Sequence, residues 1–411
     1  MLNVMGSSGG LLAISVHFEL FVHGVKRWRG REYEKTNLAN EGGMAEWPPY
    51  EGPATCGNSL EGMISESHFT NLSNLTELDL SCSSLTIKIS PSWAPPFQLQ
   101  YLKLQSCKQD SRFLNWLHTQ NDLRAFEFFN AGNLDQIPHW FWGKLQEITF
   151  MNISLNNLHG KIPNLALEFT NNPEIDLSWN QFEGSIPLFL LQALALHLSN
   201  NKFSISVCGR STSLGLMDLS NNQLEGKLPN CWNNLNSSRF LDRSNNKLSG
   251  KFPFSMGALA NIEGLVLRNY SLNGQVPSSL ENYSKLALFD LGENKFCGPI
   301  PLWIGESLQL LQILSLRLNY FHGRGIPACI KNFTAMAQDT TSSTPTDSGN
   351  WYITYKDADG FYTAYYDLYL FLEWKGVDRG FKNAGSPIPM MNGTSFAVNK
   401  LNCVCLKLVL R

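Results

Sequence analysis

One phrase recurs along this sequence at intervals of 21 to 25 residues: Asn-x-(Leu/Phe)-x-Gly-x-(Ile/Val/Leu/Phe)-Pro. Complete copies begin at Asn156, Asn180, Asn222, Asn246 and Asn294, and degenerate copies continue the same phase over 58–319. A fixed period in the twenties is typical of repeat proteins, in which each repeat forms one supersecondary unit and stacks on the next. The period therefore predicts an array of stacked coils and excludes a single globular core.

Apolar residues stand eight, five and three positions before each phrase, as Leu214, Met217 and Leu219 do before Asn222. The last two are two residues apart, so in a strand both side chains point to the same side. One coil cannot bury that side alone, and stacking buries it along the whole array. The pattern predicts an α/β leucine-rich-repeat solenoid over residues 57–337, a curved right-handed superhelix of about 11 to 12 coils with a concave parallel β-sheet.

The Asn of each phrase offers two N–H donors and one carbonyl acceptor. We expect it to bond the buried backbone of neighbouring coils where the strand ends. The coil of Asn246 departs from the pattern, because Arg243 stands where a buried apolar residue is needed. An unpaired guanidinium in the core would cost several kcal/mol. We therefore expect either a distorted coil or an acceptor in Asp218 or Asp242.

Composition excludes several classes of function. A net charge of -2 with 16% charged residues gives no basic field for nucleic acid, and 43% hydrophobic residues support a continuous core. The nine cysteines lack zinc spacing, since Cys403 and Cys405 are separated by one residue, and no His follows His322. We predict no metal and no cofactor.

A protease motif is present only in part. Residues 392–397 resemble the nucleophile block of subtilisin-like proteases, and residues 347–349 resemble their Asp block. That catalytic triad also needs a His between the two blocks, and none is there. The sequence therefore predicts no enzyme.

Several unrelated motifs occur in a fixed order between residues 57 and 382. They are Asn58-Ser59-Leu60-Glu61-Gly62, Pro95-Pro96-Phe97-Gln98-Leu99, Asn115-Trp116-Leu117, Ile137-Pro138-His139-Trp140-Phe141-Trp142, the stretch 329–336, and a Tyr-rich insert ending in Trp374-Lys375-Gly376. Together with the Leu-x-Gly-x-Ile-Pro form of the repeat, this order resembles the plant leucine-rich-repeat receptor-like proteins. The resemblance implies a kinase-less receptor ectodomain on the extracellular face of the plasma membrane. It also implies a protein, peptide or glycan ligand and a co-receptor kinase, in defence or developmental signalling.

The resemblance divides the chain into four parts. Residues 1–56 form a non-homologous, poorly ordered segment, 57–337 the solenoid, 338–382 a Tyr-rich island that suggests a small hairpin, and 383–411 a divergent tail. A clear signal peptide is missing, because His17 and Glu19 interrupt the apolar stretch 11–22. Residues 398–410 are too short to span a bilayer, so we expect no transmembrane helix and an ectodomain truncated at both ends.

Candidate ligand contacts lie at the outward strand positions, which a solenoid presents as one concave surface. They are Tyr101, Arg124, Phe129, Phe150, Trp179, His197, Arg239, Phe240, Arg268 and Arg317. The recurrent Asp of this face is expected to keep the surface soluble. In the island, Tyr366, Lys375 and Gly376 resemble the family motif implicated in ligand response and co-receptor contact.

Two covalent features are also expected. Eight sequons predict glycosylation in a secreted chain, at Asn71, Asn74, Asn152, Asn236, Asn269, Asn282, Asn332 and Asn392. Cys208 and Cys231 resemble a family pair that forms an inter-coil disulfide; the alternative is two buried thiols.

Two other functions stay open at this point. One is a secreted inhibitor of pathogen cell-wall-degrading enzymes, similar to the polygalacturonase-inhibiting proteins. The other is a gene fragment without function.

Overall fold

The computed structural model describes residues 61–80, 84–104, 108–109, 113–131, 136–205, 209, 211 and 213–323, and the backbone of strands between 351 and 381 and at 405–406. The chain divides into two units, Met1–Glu183 and Gly184–Arg411. The predicted segment 1–56 lies outside the described residues, as do Lys375, Gly376 and all of the predicted tail 383–411 except 405–406.

Each coil of the first unit begins with a short parallel strand, which we call its first strand. These are Glu77–Asp79, Tyr101–Lys103, Ala125–Glu127, Phe150–Asn152 and Glu174–Asp176. Second strands follow the turn, at Glu61–Ile64, Ser84–Ile87, Lys108–Gln109, His159–Lys161 and Gln181–Ser185. Helical segments complete the coils: 3-10 helices Glu66–Phe69, Asn115–Thr119 and Leu145–Glu147, and α-helix His139–Gly143.

The central residues of these first strands pair in register, one per coil, and all are at most 4% exposed. They are Leu78, Leu102, Phe126, Met151 and Ile175. Aromatic rings fill the space behind them: Phe126 meets Phe141 edge to face at 5.5 Å, and Phe113 meets Phe141 at 4.9 Å. The core of this unit is a line of stacked side chains, as the repeat predicts.

The second unit repeats the same arrangement. Its first strands are Ala195–His197, Leu216–Asp218, Phe240–Asp242, Gly264–Val266, Leu288–Asp290 and Ile313–Ser315. Its second strands are Lys202–Ile205, Glu225–Lys227, Lys247–Gly250, Ser271–Gly274, Lys295–Gly298 and Tyr320–Phe321. The helical segments are 3-10 helices Leu188–Gln192, Trp232–Leu235, Phe254–Ala258 and Ser278–Asn282, and α-helix Trp303–Ser307.

Here too the central strand residues stack in register and are at most 3% exposed. They are Leu196, Met217, Leu241, Leu265, Phe289 and Leu314. Both units thus confirm the predicted leucine-rich-repeat solenoid. None of the described helices is long and apolar enough to cross a membrane.

The Asn of each repeat phrase bonds the backbone of neighbouring coils, as its donors and acceptor predict. Asn222 donates through Nδ2 to the carbonyl of Leu198 in the preceding coil at 2.9 Å and to Leu219 in its own coil at 3.2 Å. Its Oδ1 accepts the backbone N–H of Phe203 at 3.0 Å. Asn156, Asn180, Asn246, Asn294 and Asn319 make equivalent bonds. One buried amide therefore satisfies backbone groups of two coils at once.

The coil of Asn246 is regular, so the distorted coil, one of the two alternatives expected for Arg243, is wrong. Asn246 Nδ2 donates to the carbonyls of Leu219 at 2.9 Å and Arg243 at 2.8 Å, as in the other coils. Arg243 is only 1% exposed, and its guanidinium carbon lies 4.8 Å from the centroid of the Trp232 ring. This contact with an aromatic face is one interaction that stabilises the buried cation.

The island contains two antiparallel hairpins where the sequence suggests one. Strand Trp351–Asp357 pairs with Gly360–Tyr366, and Leu370–Trp374 pairs with Val377–Phe381. A last strand, Cys405–Leu406, pairs antiparallel with Ile313–Ser315.

Candidate ligand-binding surface

Several first strands end in an Asp, and these carboxylates form a column along the array. Asp176, Asp218, Asp242 and Asp290 each accept the backbone N–H two residues later at 2.7–2.9 Å. Burial raises the pKa of Asp290 to about 6, against the opposing effect of its bond from Gly292. The column therefore caps strand ends, a role beyond the solubility expected from sequence.

In the first unit, the predicted contact residues differ in how firmly they are held. Tyr101 donates its hydroxyl to Glu127 at 2.7 Å, and Lys103 lies 3.3 Å from the same carboxylate. Arg124 is exposed, Phe129 is buried and Phe150 is half-buried. The most exposed aromatic side chain of the predicted set is Trp179, at 55%.

In the second unit, glutamates of neighbouring coils bind the predicted arginines. Arg239 makes a bidentate pair with Glu263, at 2.8 and 2.9 Å. Arg268 Nε and Arg317 Nη2 both donate to Glu293 Oε1, at 3.0 and 2.6 Å. Arg239 and Arg268 are positioned by the protein itself, so a ligand reaches them only by competing with a carboxylate. Arg317 is only 2% exposed, so the structure withdraws this predicted contact residue from the surface.

The other two candidates of this unit are partly withdrawn from the surface. Phe240 is 1% exposed, because its ring lies where a Cβ on Gly264 would otherwise be. His197 is half-buried at the end of its strand.

The residue just before each phrase Asn, which we call the turn position, has a left-handed backbone. These residues have φ between 50° and 58°: Asn130, Leu155, Trp179, Asn200, Asn221, Asn245, Asn269, Glu293 and Leu318. Asn tolerates this conformation, whereas Leu and Trp rarely adopt it. Sequence reasoning missed Leu155, although the Asn that fills this position in most coils is the signal that could have found it.

The sequons fall into three groups. Asn71, Asn74, Asn236, Asn269 and Asn282 are exposed, and Asn332 and Asn392 lie outside the described residues. Asn152 is 7% exposed, and its Oδ1 accepts both the backbone N–H of Ser154 at 3.0 Å and its hydroxyl at 2.7 Å. A glycan on Asn152 cannot be accommodated in this packing.

The described residues include only one of the two cysteines predicted to form a disulfide. Cys231 is disulfide-bonded, while its predicted partner Cys208 lies outside the described residues. Cys297, on a second strand, is exposed and free. The described residues contain no group of three or more His, Cys, Asp or Glu placed to hold a metal ion. The partial protease motif lies outside them.

Sequence comparison shows which known proteins this chain is similar to. A Leucine Rich Repeat profile matches residues 213–235. The chain is 37% identical over 355 residues to Receptor-like protein EIX2 of Solanum lycopersicum, covering 79% of this chain and 34% of that protein. It is 30% identical over 265 residues to Receptor-like protein 35 of Arabidopsis thaliana, covering 61% of this chain and 25% of that protein.

Solved structures agree with the fold. The ectodomain of the Arabidopsis thaliana membrane receptor kinase GASSHO1/SCHENGEN3, crystallised with CASPARIAN STRIP INTEGRITY FACTOR 2, matches with a TM-score of 0.59 and 30% identity over 68% of this chain and 34% of that one. A TDR receptor matches with a TM-score of 0.58 and 25% identity over 68% and 49%. The chain spans about a third of the length of EIX2. It is a leucine-rich-repeat homologue of the plant receptor-like proteins.

Proposed function

We propose that this chain forms part of the extracellular ectodomain of a plant cell-surface receptor. In this proposal it binds a protein, peptide or glycan ligand and a co-receptor kinase at the plasma membrane, and catalyses no reaction. The observation that supports it most is the open face of the first strands, on the side away from the core, on which Arg239 and Arg268 are held by carboxylates of neighbouring coils. Side chains fixed in this way are suited to recognition, because little conformational freedom is lost on binding.

The cavity found among the described residues of the first unit gives no support to a catalytic alternative. A small cavity in the first unit is lined only by apolar side chains, among them Phe69, Trp93 and Trp116. A catalytic pocket needs convergent polar or titratable groups, and this lining has none. We therefore assign the cavity to core packing.

The proposal is tested in a chimera, because the chain covers only part of its relatives. Residues 57–382 replace the matching segment of EIX2, and co-precipitation measures ligand-dependent association with a co-receptor kinase in leaf tissue. We expect secretion and association to be retained. A chimera that is secreted but never associates contradicts the receptor proposal. A chimera that instead binds a cell-wall-degrading enzyme without any co-receptor supports the inhibitor alternative.

The island motif is tested in the same chimera. Tyr366→Ala and Lys375→Ala should lower ligand-dependent association and leave secretion unchanged. Lys356→Ala, on the first hairpin, is the matched control and should associate normally. Normal association in both motif variants would assign Tyr366 and Lys375 to structural anchoring.

A further inference from the structure

The second strands of the second unit form a parallel sheet whose outer surface is basic. Its five strands run from Glu225–Lys227 to Tyr320–Phe321. Four exposed lysines stand on these strands or directly after one, and we call them the lysine face: Lys227, Lys247, Lys251 and Lys295. The five strands contain one carboxylate, Glu225, which pairs with Lys247 in the strand register. Positive charge therefore predominates on this sheet, although the whole chain has a net charge of -2.

The charge of the lysine face is not neutralised by neighbouring coils. None of its four lysines makes an ion pair with a residue that the structure describes. The strand register places Lys227 beside Ser249 and Lys295 beside Asn273, both uncharged. The exposed arginines of the open face, in contrast, are each held by a glutamate of another coil. The lysine face therefore offers cations that an anionic ligand can reach without displacing a carboxylate.

Two of the lysines are positioned by glycines of the next coil. Lys227 Cγ lies 3.3 Å from the point where a Cβ on Gly250 would stand, and Lys251 Cγ lies 3.5 Å from the corresponding point of Gly274. Both glycines have a left-handed backbone, with φ of 93° and 85°. Because they lack a side chain, each leaves room for a lysine stem to lie across it. The two stems thus lean the same way and repeat at the spacing of neighbouring strands, about 4.8 Å.

The rest of this surface is polar and uncharged. Hydroxyl and amide side chains stand between the lysines, half-buried or exposed, at Gln223, Ser249, Ser271, Asn273 and Gln275. These groups both donate and accept hydrogen bonds. A surface that combines ammonium, hydroxyl and amide groups suits an anion that also carries many hydroxyl groups.

We propose that the lysine face binds a polysaccharide of linked uronic acids. Each sugar of such a chain carries one carboxylate, and one linked pyranose ring is similar in length to the separation of neighbouring strands. Successive carboxylates can therefore meet successive coils, while the sugar hydroxyls bond the amides and hydroxyls between the lysines. An extended acidic peptide fits less well, because its side chains on one face are about 7 Å apart. This proposal does not depend on the receptor function, since it concerns the second strands and not the open face of the first strands.

The test measures binding of polygalacturonate to the full chain by isothermal titration calorimetry at low ionic strength. The double variant Lys227→Gln/Lys251→Gln should bind about tenfold more weakly, since each exposed ion pair makes a modest contribution. Added salt should weaken binding to the unsubstituted protein, because it screens exposed charges. Fully methyl-esterified polygalacturonate has the same backbone without the charge and should not bind.

The double variant Lys88→Gln/Lys285→Gln is the matched control, since it removes the same charge from exposed sites outside this sheet. It should bind polygalacturonate as the unsubstituted protein does. Both double variants should keep the melting temperature, because the substituted side chains are exposed.

Equal binding by the two double variants would overturn the proposal, as would the absence of any binding to polygalacturonate. Poly-L-glutamate bound as tightly as polygalacturonate would show a surface for polyanions in general and overturn the choice of a polyuronate. None of these outcomes bears on the co-receptor association that tests the receptor proposal.

Discussion

Replacing the buried arginine of the second unit by leucine should stabilise the protein. Burial lowers the pKa of Arg243 to about 10, and Tyr270 only partly opposes this effect. At about 1.4 kcal/mol for each pKa unit, that fall corresponds to roughly 3 kcal/mol by which the surroundings of Arg243 disfavour its charged form. The guanidinium of Arg243 lies 4.8 Å from the centroid of the Trp232 ring. Because this cation–π pair is desolvated, it stabilises the folded protein by about 2 kcal/mol.

Leucine already occupies the equivalent position in the two adjoining coils. Leu219 and Leu267 are both fully buried, so Arg243→Leu places the usual side chain in a site of the same geometry. We therefore expect a gain of about 1–3 kcal/mol, in the range seen when buried ionic groups are replaced by apolar ones. In thermal unfolding this corresponds to a rise of several degrees.

Urea denaturation of the full chain measures the change, with two further variants. Arg239→Leu, in the same coil, removes a half-buried arginine paired with Glu263 and should change stability by about 1 kcal/mol or less. Trp232→Leu, alone and combined with Arg243→Leu, forms a double-mutant cycle that isolates the cation–π term. A loss of stability greater than about 1 kcal/mol in Arg243→Leu would refute the reasoning. It would show that bonds to the guanidinium outweigh its desolvation.

Three other predictions concern single side chains. Because burial raises the pKa of Asp290 to about 6, its own contribution to stability should be fully present below about pH 4 and be lost as pH rises through 6. In urea denaturation, Asp290→Asn should remove this component of the pH dependence between about pH 4 and 6, and a difference from the unsubstituted protein that does not vary with pH would contradict this. Asn222→Ala leaves buried backbone groups of two coils unpaired and should cost about 2–4 kcal/mol by the same assay. Asn233→Ala, at an exposed site, should cost under about 1 kcal/mol, and equal losses would refute the ladder argument. Peptide mapping of secreted protein should find a glycan at Asn71 and none at Asn152, and an occupied Asn152 would contradict its burial.

Features that depend on the repeat alone were predictable. The period gives the stacking, and the residue five positions before each Asn gives the core, as Met217 and Phe289 show. The bonding of Asn222 follows from its donors, its acceptor and its place at a strand end. These features repeat in every coil, so one physical argument covers all copies.

The candidate site was less predictable, because its contacts join residues about one coil apart. Glu263 binds Arg239 and Glu293 binds Arg268, and in each pair both residues look like ordinary surface charges in the sequence. The same holds for Phe240, which is buried because the neighbouring coil has a glycine at position 264. The sequence placed these residues on the open face but left their partners undecided.

The sequence by itself therefore determined the solenoid, its core positions, its Asn ladder and its resemblance to receptor-like proteins. These depend on local periodicity and on what each side chain can bond. Only the tertiary structure decided that Arg243 lies over Trp232 in a regular coil, and that the stems of Lys227 and Lys251 lie across glycines of the next coil. Those outcomes depend on which side chains meet when one coil stacks on the next, and no single repeat contains that information.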